Sequence, residues 1–131
     1  MNNRFKFRVW DKLAKRMIYP HNDNQQHFII DLNGRFHNLQ NGSGGDDYVI
    51  QQYTGLTDSN DDPIYEGDIL KNHYDVGNNI IGQVLYESDH GGYIFQWKRK
   101  GRGQDYKNLN CDVAFESVIV GNIFENPELL N

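Results

Sequence analysis

The chain has 131 residues, enough for one compact unit or two small subdomains, and its formal net charge of -5 argues against a general nucleic-acid binder. A single cysteine excludes an internal disulfide and a multi-cysteine zinc site. With no run of about 18 apolar residues and no charged-then-apolar start, neither a transmembrane helix nor a secretory signal is expected.

Aromatic residues make up 13% of the chain. Burial therefore leans on Tyr, Phe and Trp, which favours strands over helices. Phe5, Phe7 and Val9 alternate with Arg4, Lys6 and Arg8, the pattern of a half-buried strand with one basic face. Trp10 falls on the polar side of that alternation and is expected at a sheet edge or against another element. A turn over Asp11–Lys15 and a returning strand over Arg16–Tyr19 complete a hairpin, and Pro20–Gln26 reads as irregular. His27–Leu32 and Arg35–Leu39 flank Asn33-Gly34, a strong hairpin signal. Asn41–Gly45 is a glycine-rich loop, and Tyr48–Tyr53 a strand.

Between Tyr53 and Leu70 lies the stretch that organises the chain. Asp58–Pro63 is dense in turn-forming residues, and Pro63 holds Asp62 extended. Gly67-Asp68 supplies a permissive backbone position and a short acceptor before Ile69-Leu70. Beyond it, Glu66–Tyr74 reads as a strand and Asp75–Asn79 as a loop. Ile80–Tyr86 and Tyr93–Lys98 form a hairpin across Ser88–Gly92, with Tyr93, Phe95 and Trp97 on one face. Gly101-Arg102-Gly103 is a basic loop, Cys111–Glu116 is ambiguous, and Ser117–Phe124 is a β-branched strand. Asn126 as cap and Pro127 at the first helical position predict a terminal turn. The class is all-β. An N-terminal hairpin-rich subdomain over residues 1–62 is followed by a domain over residues 63–131 with the length and hairpin spacing of a small barrel.

Three ordered segments carry a family likeness: Lys6–Asp11, Gln52–Leu56 continuing through Asp58, Asn60 and Ile64–Ile69, and Gly121–Leu130. Together they resemble the YopX family of phage and prophage proteins over nearly the whole chain. The resemblance implies a β-rich fold with an SH3-like barrel in the C-terminal half and a setting in the cytoplasm of a bacterial host. It implies no reaction. One departure is Asp61, where the family turn usually carries Gly, so that turn is expected to be wider or differently closed.

Candidate chemistry is sparse. Asp58, Asn60 and Asp62 match the start of a calcium loop, but Pro63 stands where that loop needs Gly and Ile69 where it needs a bidentate Glu. His21, His27, His37, His73 and His90 fall at no paired metal-ligand spacing. Cys111 lacks a context that would lower its pKa and is expected to be a buried or half-buried structural residue. Glu66 and Asp68 are read as hydrogen-bonding groups at the barrel entry. No catalytic residue, metal site or cofactor is assigned.

Charge is unevenly placed. Residues 4–16 and 98–107 are basic, whereas Asp46, Asp47, Asp58, Asp61, Asp62, Glu66 and Asp68 occur with no Lys or Arg among them. Lys98, Arg99, Lys100 and Arg102, flanked by Trp97 and Tyr106, form the candidate polyanion contact, because small barrels bind single strands by combining cations with stacked aromatics. Arg4, Lys6 and Arg8 form a secondary basic face. These patterns support a non-catalytic binding or assembly module that contacts a protein partner or a second copy of itself. A nucleic-acid-binding accessory protein is the alternative, and a metal-dependent enzyme a distant third.

Overall fold

The computed structural model describes residues 4–19, 27–75 and 78–131. The irregular stretch expected over Pro20–Gln26, including His21, and the centre of the Asp75–Asn79 loop lie outside them. The fold is all-β, and the chain divides into two compact units.

The smaller unit spans Phe5–Gln52. Strands β1 (Phe7–Asp11) and β2 (Arg16–Ile18) form the first expected hairpin, closed where the Asp11 carboxylate accepts from the Leu13 and Ala14 amides. Strands β3 (Phe28–Ile30) and β4 (Phe36–Asn38) flank Asn33-Gly34 as the dipeptide predicts, with Gly34 at φ 78. There the Asp31 carboxylate accepts from the amides of Asn33 and Arg35. A 3-10 turn at Gly45–Asp47 leads into β5 (Tyr48–Thr57), whose first half pairs antiparallel with β1. Val9, Ile18 and Phe36 are the core, with Phe28, Ile30, Tyr48 and Ile50 packed against it.

In the larger unit, Arg4 together with Tyr53–Asn131, the second half of β5 pairs with β6 (Pro63–Tyr65). The register shifts between Tyr53 and Thr57, where Gly55 takes φ 88. The turn between these strands is built by one buried carboxylate. Asp58 Oδ1 accepts from the Asn60 and Asp62 amides, and Oδ2 from the Ile119 amide, each at 2.9 Å. The Ser59 amide donates to the Ser117 carbonyl. These bonds tie the turn to distant chain, so the division between units falls at Gln52/Tyr53, upstream of the 62/63 position expected from the turn composition.

Asp61 sits in that turn at φ 65, the left-handed region in which Gly carries no penalty. The turn closes around Asp58 and Asp61 accepts the strained backbone. Next, Gly67 takes φ 86 and the buried Asp68 carboxylate accepts from the Tyr65 amide at 2.8 Å. This is the entry hydrogen bonding that Gly67-Asp68 suggested.

From there the chain runs as a meander: β7 (Asp68–Asp75), β8 (Asn78–Glu87), β9 (Gly92–Arg99) and β10 (Gly103–Asn108). The last strand, β11 (Ser117–Asn122), pairs with β7, giving a five-stranded antiparallel sheet curled into an open half-barrel. At Gly82 a side chain would strike the Gln96 carbonyl and the Phe95 ring, so close approach of β8 and β9 demands glycine there.

The concave face buries Ile64, Leu70, Val84 and Phe95 against Val113 and Ala114 of helix α1 (Cys111–Phe115). The Asn110 side chain caps α1 by accepting from the Val113 amide. Asn72 donates to Ser117 Oγ at 2.7 Å, and Ser117 donates to the Val113 carbonyl at 2.6 Å, so the buried polar groups behind the helix are paired.

Four expectations are corrected. Cys111 is exposed, because α1 turns Val113 and Ala114 inward and leaves its first residue in solvent. Arg8 is buried on the strand face expected to be basic and solvated, where its guanidinium donates to Gln51 and to Tyr19, and Trp10 is buried on the same face. The Asn126 side chain makes no cap to the final 3-10 turn (Pro127–Leu130) and accepts instead from the Asn122 amide. Finally, the acidic stretch is not one surface, since Asp58 and Asp68 are buried and hold backbone. No described helix is long and apolar enough to cross a membrane.

Candidate functional site

The candidate contact residues lie on the β9–β10 hairpin. Glycines at 101 and 103, with φ 75 and 77, let the chain reverse within a few residues. Lys98, Arg99, Lys100 and Arg102 are all exposed. Arg99 Nη1 donates to Asp105 Oδ2 at 3.1 Å, a solvent-facing ion pair worth at most about 1 kcal/mol. Four exposed cations thus lie at the end of this hairpin, one of them paired with Asp105.

Register decides which aromatics can serve that tip. Trp97 faces Asp105, and Gln96 faces Tyr106. Directly opposed residues share a face and neighbours along a strand alternate, so Trp97 and Tyr106 lie on opposite faces of the sheet. Trp97 is half-buried and packs beside Phe95, ring centroids 5.4 Å apart, against the core. Tyr106 is 48% exposed and meets His90 edge-on at 5.0 Å. Arg99 shares the face of Trp97, and Lys98 that of Tyr106. The alternation that parts the two aromatics also sets Lys98 and Arg99 on opposite faces, with Lys100 and Arg102 in the turn beyond them.

The secondary basic face does not assemble as the alternation suggested. Arg4 and Lys6 are exposed, whereas Arg8 is 2% exposed. Arg8 Nε donates to Gln51 Oε1 at 2.8 Å and Nη1 to the Tyr19 hydroxyl at 3.3 Å, so its charge is spent inside the smaller unit. The strand alternation carried no signal for this, because the acceptor on Gln51 comes from another strand.

The remaining candidates stay scattered. The Asp58 carboxylate accepts backbone amides on both oxygens and belongs to the turn. His37 Nε2 lies 2.9 Å from Asp31 Oδ2, and His73 Nδ1 lies 2.7 Å from Asn79 Oδ1. Hydrogen bonds from the Arg35 amide and from His37 hold the Asp31 carboxyl below its ordinary range. Burial, then the charge of Glu66, raises the Tyr93 hydroxyl above the usual tyrosine value. Among the described residues, no group of three or more His, Cys, Asp or Glu is placed to hold a metal ion.

One concavity was not anticipated: a cleft of about 600 Å³ in the smaller unit, lined by Arg35, Phe36, Asp46, Tyr48 and neighbouring residues. Its walls come from the β3–β4 hairpin, the Gly45–Asp47 turn and the start of β5, and turn composition does not show that these successive segments enclose a space.

Comparison with known proteins agrees with this architecture. The model of the YopX protein family matches residues 6–131. The crystal structure of protein EF1440 from Enterococcus faecalis is similar at a TM-score of 0.56 and 25% sequence identity, over 96% of this chain and 97% of that one. No curated protein matches in sequence.

Proposed function

This chain belongs to the YopX family, and we propose that it works as a binding and assembly module of phage or prophage origin inside a bacterial cell. In this proposal the larger unit is a small barrel of SH3-like type, and its working surface is the tip of the β9–β10 hairpin. The carrying observation is that Lys98, Arg99, Lys100 and Arg102 are all exposed within residues 98–102, at the end of one hairpin, in a chain whose net charge is -5. A cationic tip on an acidic protein favours an acidic patch on a protein partner, since opposite potentials steer encounter and fix orientation. The buried carboxylates Asp58 and Asp68 support a structural rather than catalytic use of the acidic residues, because backbone amides occupy them.

Amide chemical-shift mapping tests this reading, with a polyglutamate peptide as the acidic probe. Shifts confined to residues 98–104 support it. Shifts spread over other surfaces, or none at low salt, contradict it.

Single-stranded nucleic acid is the second reading, favoured by the same cations. The separation of Trp97 from Tyr106 weighs against it, because the two rings cannot stack successive bases on one face.

A further inference from the structure

β10 ends the five-stranded sheet, and among the described residues no strand pairs with its outer edge. The direction of its backbone groups follows from the ladder. The Leu109 amide donates to the Tyr93 carbonyl at 3.0 Å. Alternate residues upstream (Lys107, Asp105, Gly103) therefore turn amide and carbonyl toward β9, and Gln104, Tyr106 and Asn108 turn theirs outward. The Tyr106 amide agrees, since it donates at 3.0 Å to the Asp105 carboxylate beside it.

The segment Gln104-Asp105-Tyr106-Lys107-Asn108 is self-complementary about its centre. Laid antiparallel on a second copy with Tyr106 opposite Tyr106, it sets Gln104 opposite Asn108, with all the outward backbone groups in phase. The same register sets Asp105 opposite Lys107 twice, at the close positions where side chains interact most. Sliding one strand by two residues is the smallest slip that preserves the hydrogen-bond phase. It would bring Asp105 against Asp105, or Lys107 against Lys107, which like charge disfavours. A lysine on an edge strand commonly blocks strand addition. Here Asp105 supplies the counter-charge in one register.

We propose that the outer edge of β10 is a homodimerisation site. Two copies pair antiparallel through residues 104–108 about a two-fold axis at Tyr106, joining their sheets. On pairing, Asp105 releases the Tyr106 amide to its partner strand and turns that oxygen to Lys107 of the second copy, while Arg99 keeps the other oxygen. The tip cations Lys98, Lys100 and Arg102 lie outside the paired segment, and Arg99 alone, through Asp105, touches both surfaces.

Sedimentation equilibrium over a concentration series tests it. The expected result is a reversible dimer of the 15.3 kDa chain. Asp105→Lys and Lys107→Asp should each weaken the dimer about tenfold by opposing like charges, and the double variant should restore it. In a Cys111→Ser background, Tyr106→Cys should form a covalent dimer on oxidation, since paired strand positions place Cα atoms within disulfide reach, while Gln104→Cys should not. A strict monomer at every concentration overturns the proposal, as do single variants that dimerise like the wild type, a double variant that fails to recover, or a Tyr106→Cys chain that does not cross-link. Substituting Glu at Lys98, Lys100 and Arg102 should leave the dimer unchanged, so the tip and the edge are tested separately.

Discussion

Asp58 is the residue on which the organising stretch closes. Its carboxylate accepts three backbone amides from a site only 4% exposed. Asp58→Ala strips those amides of their acceptor and should destabilise the larger unit by about 2–4 kcal/mol, read from urea unfolding. Asp61 makes the opposite case. At φ 65 a Cβ costs about 1 kcal/mol, part of which glycine returns as extra freedom in the unfolded chain. Asp61→Gly should therefore raise stability by about 0.5 kcal/mol, and Asp61→Val should lower it, because a branched side chain suits that backbone worst. An unchanged midpoint in both would show that the turn carries no strain at Asp61. Turn composition marked Asp58–Pro63 in the sequence, but which carboxylate would be buried did not show. That choice rests on the Ile119 amide, far along the chain.

At the scale of elements, the β3–β4 hairpin should respond to acid. The folded Asp31 carboxyl holds its proton less tightly than the unfolded one, chiefly through the Arg35 amide and then His37. Its stabilisation is complete above the ordinary carboxylate pKa and drains away as pH falls through the lower folded value. Amide shifts of Asn33 and Arg35 should follow that titration, and Asp31→Asn should flatten it. The Asn33-Gly34 and Ser88–Gly92 hairpins were legible because turn chemistry is local. β10 was not, because Gly103–Asn108 holds no β-branched residue and becomes a strand by pairing with β9. The cations of the tip were legible as an exposed turn. The parting of Trp97 from Tyr106 was not, since it depends on a register that composition leaves open.

For the whole molecule, aromatic-rich composition and closely spaced turns sufficed to predict an all-β chain. The family likeness in three segments extends through the matched residues 6–131. The boundary between units escaped the sequence because β5 is one continuous strand that runs through it. The central claim is that the cationic tip of the β9–β10 hairpin is the binding surface. Fluorescence anisotropy tests it most directly, titrating the protein into labelled polyglutamate and labelled single- and double-stranded oligonucleotides at low and physiological salt. Binding of the acidic peptide that weakens with salt, and is lost on substituting Glu at Lys98, Lys100 and Arg102 with the melting temperature preserved, is the predicted result. Preference for the oligonucleotides with the same loss would make the partner a nucleic acid. Binding that survives the substitution, or none with any probe at low salt, would contradict the claim.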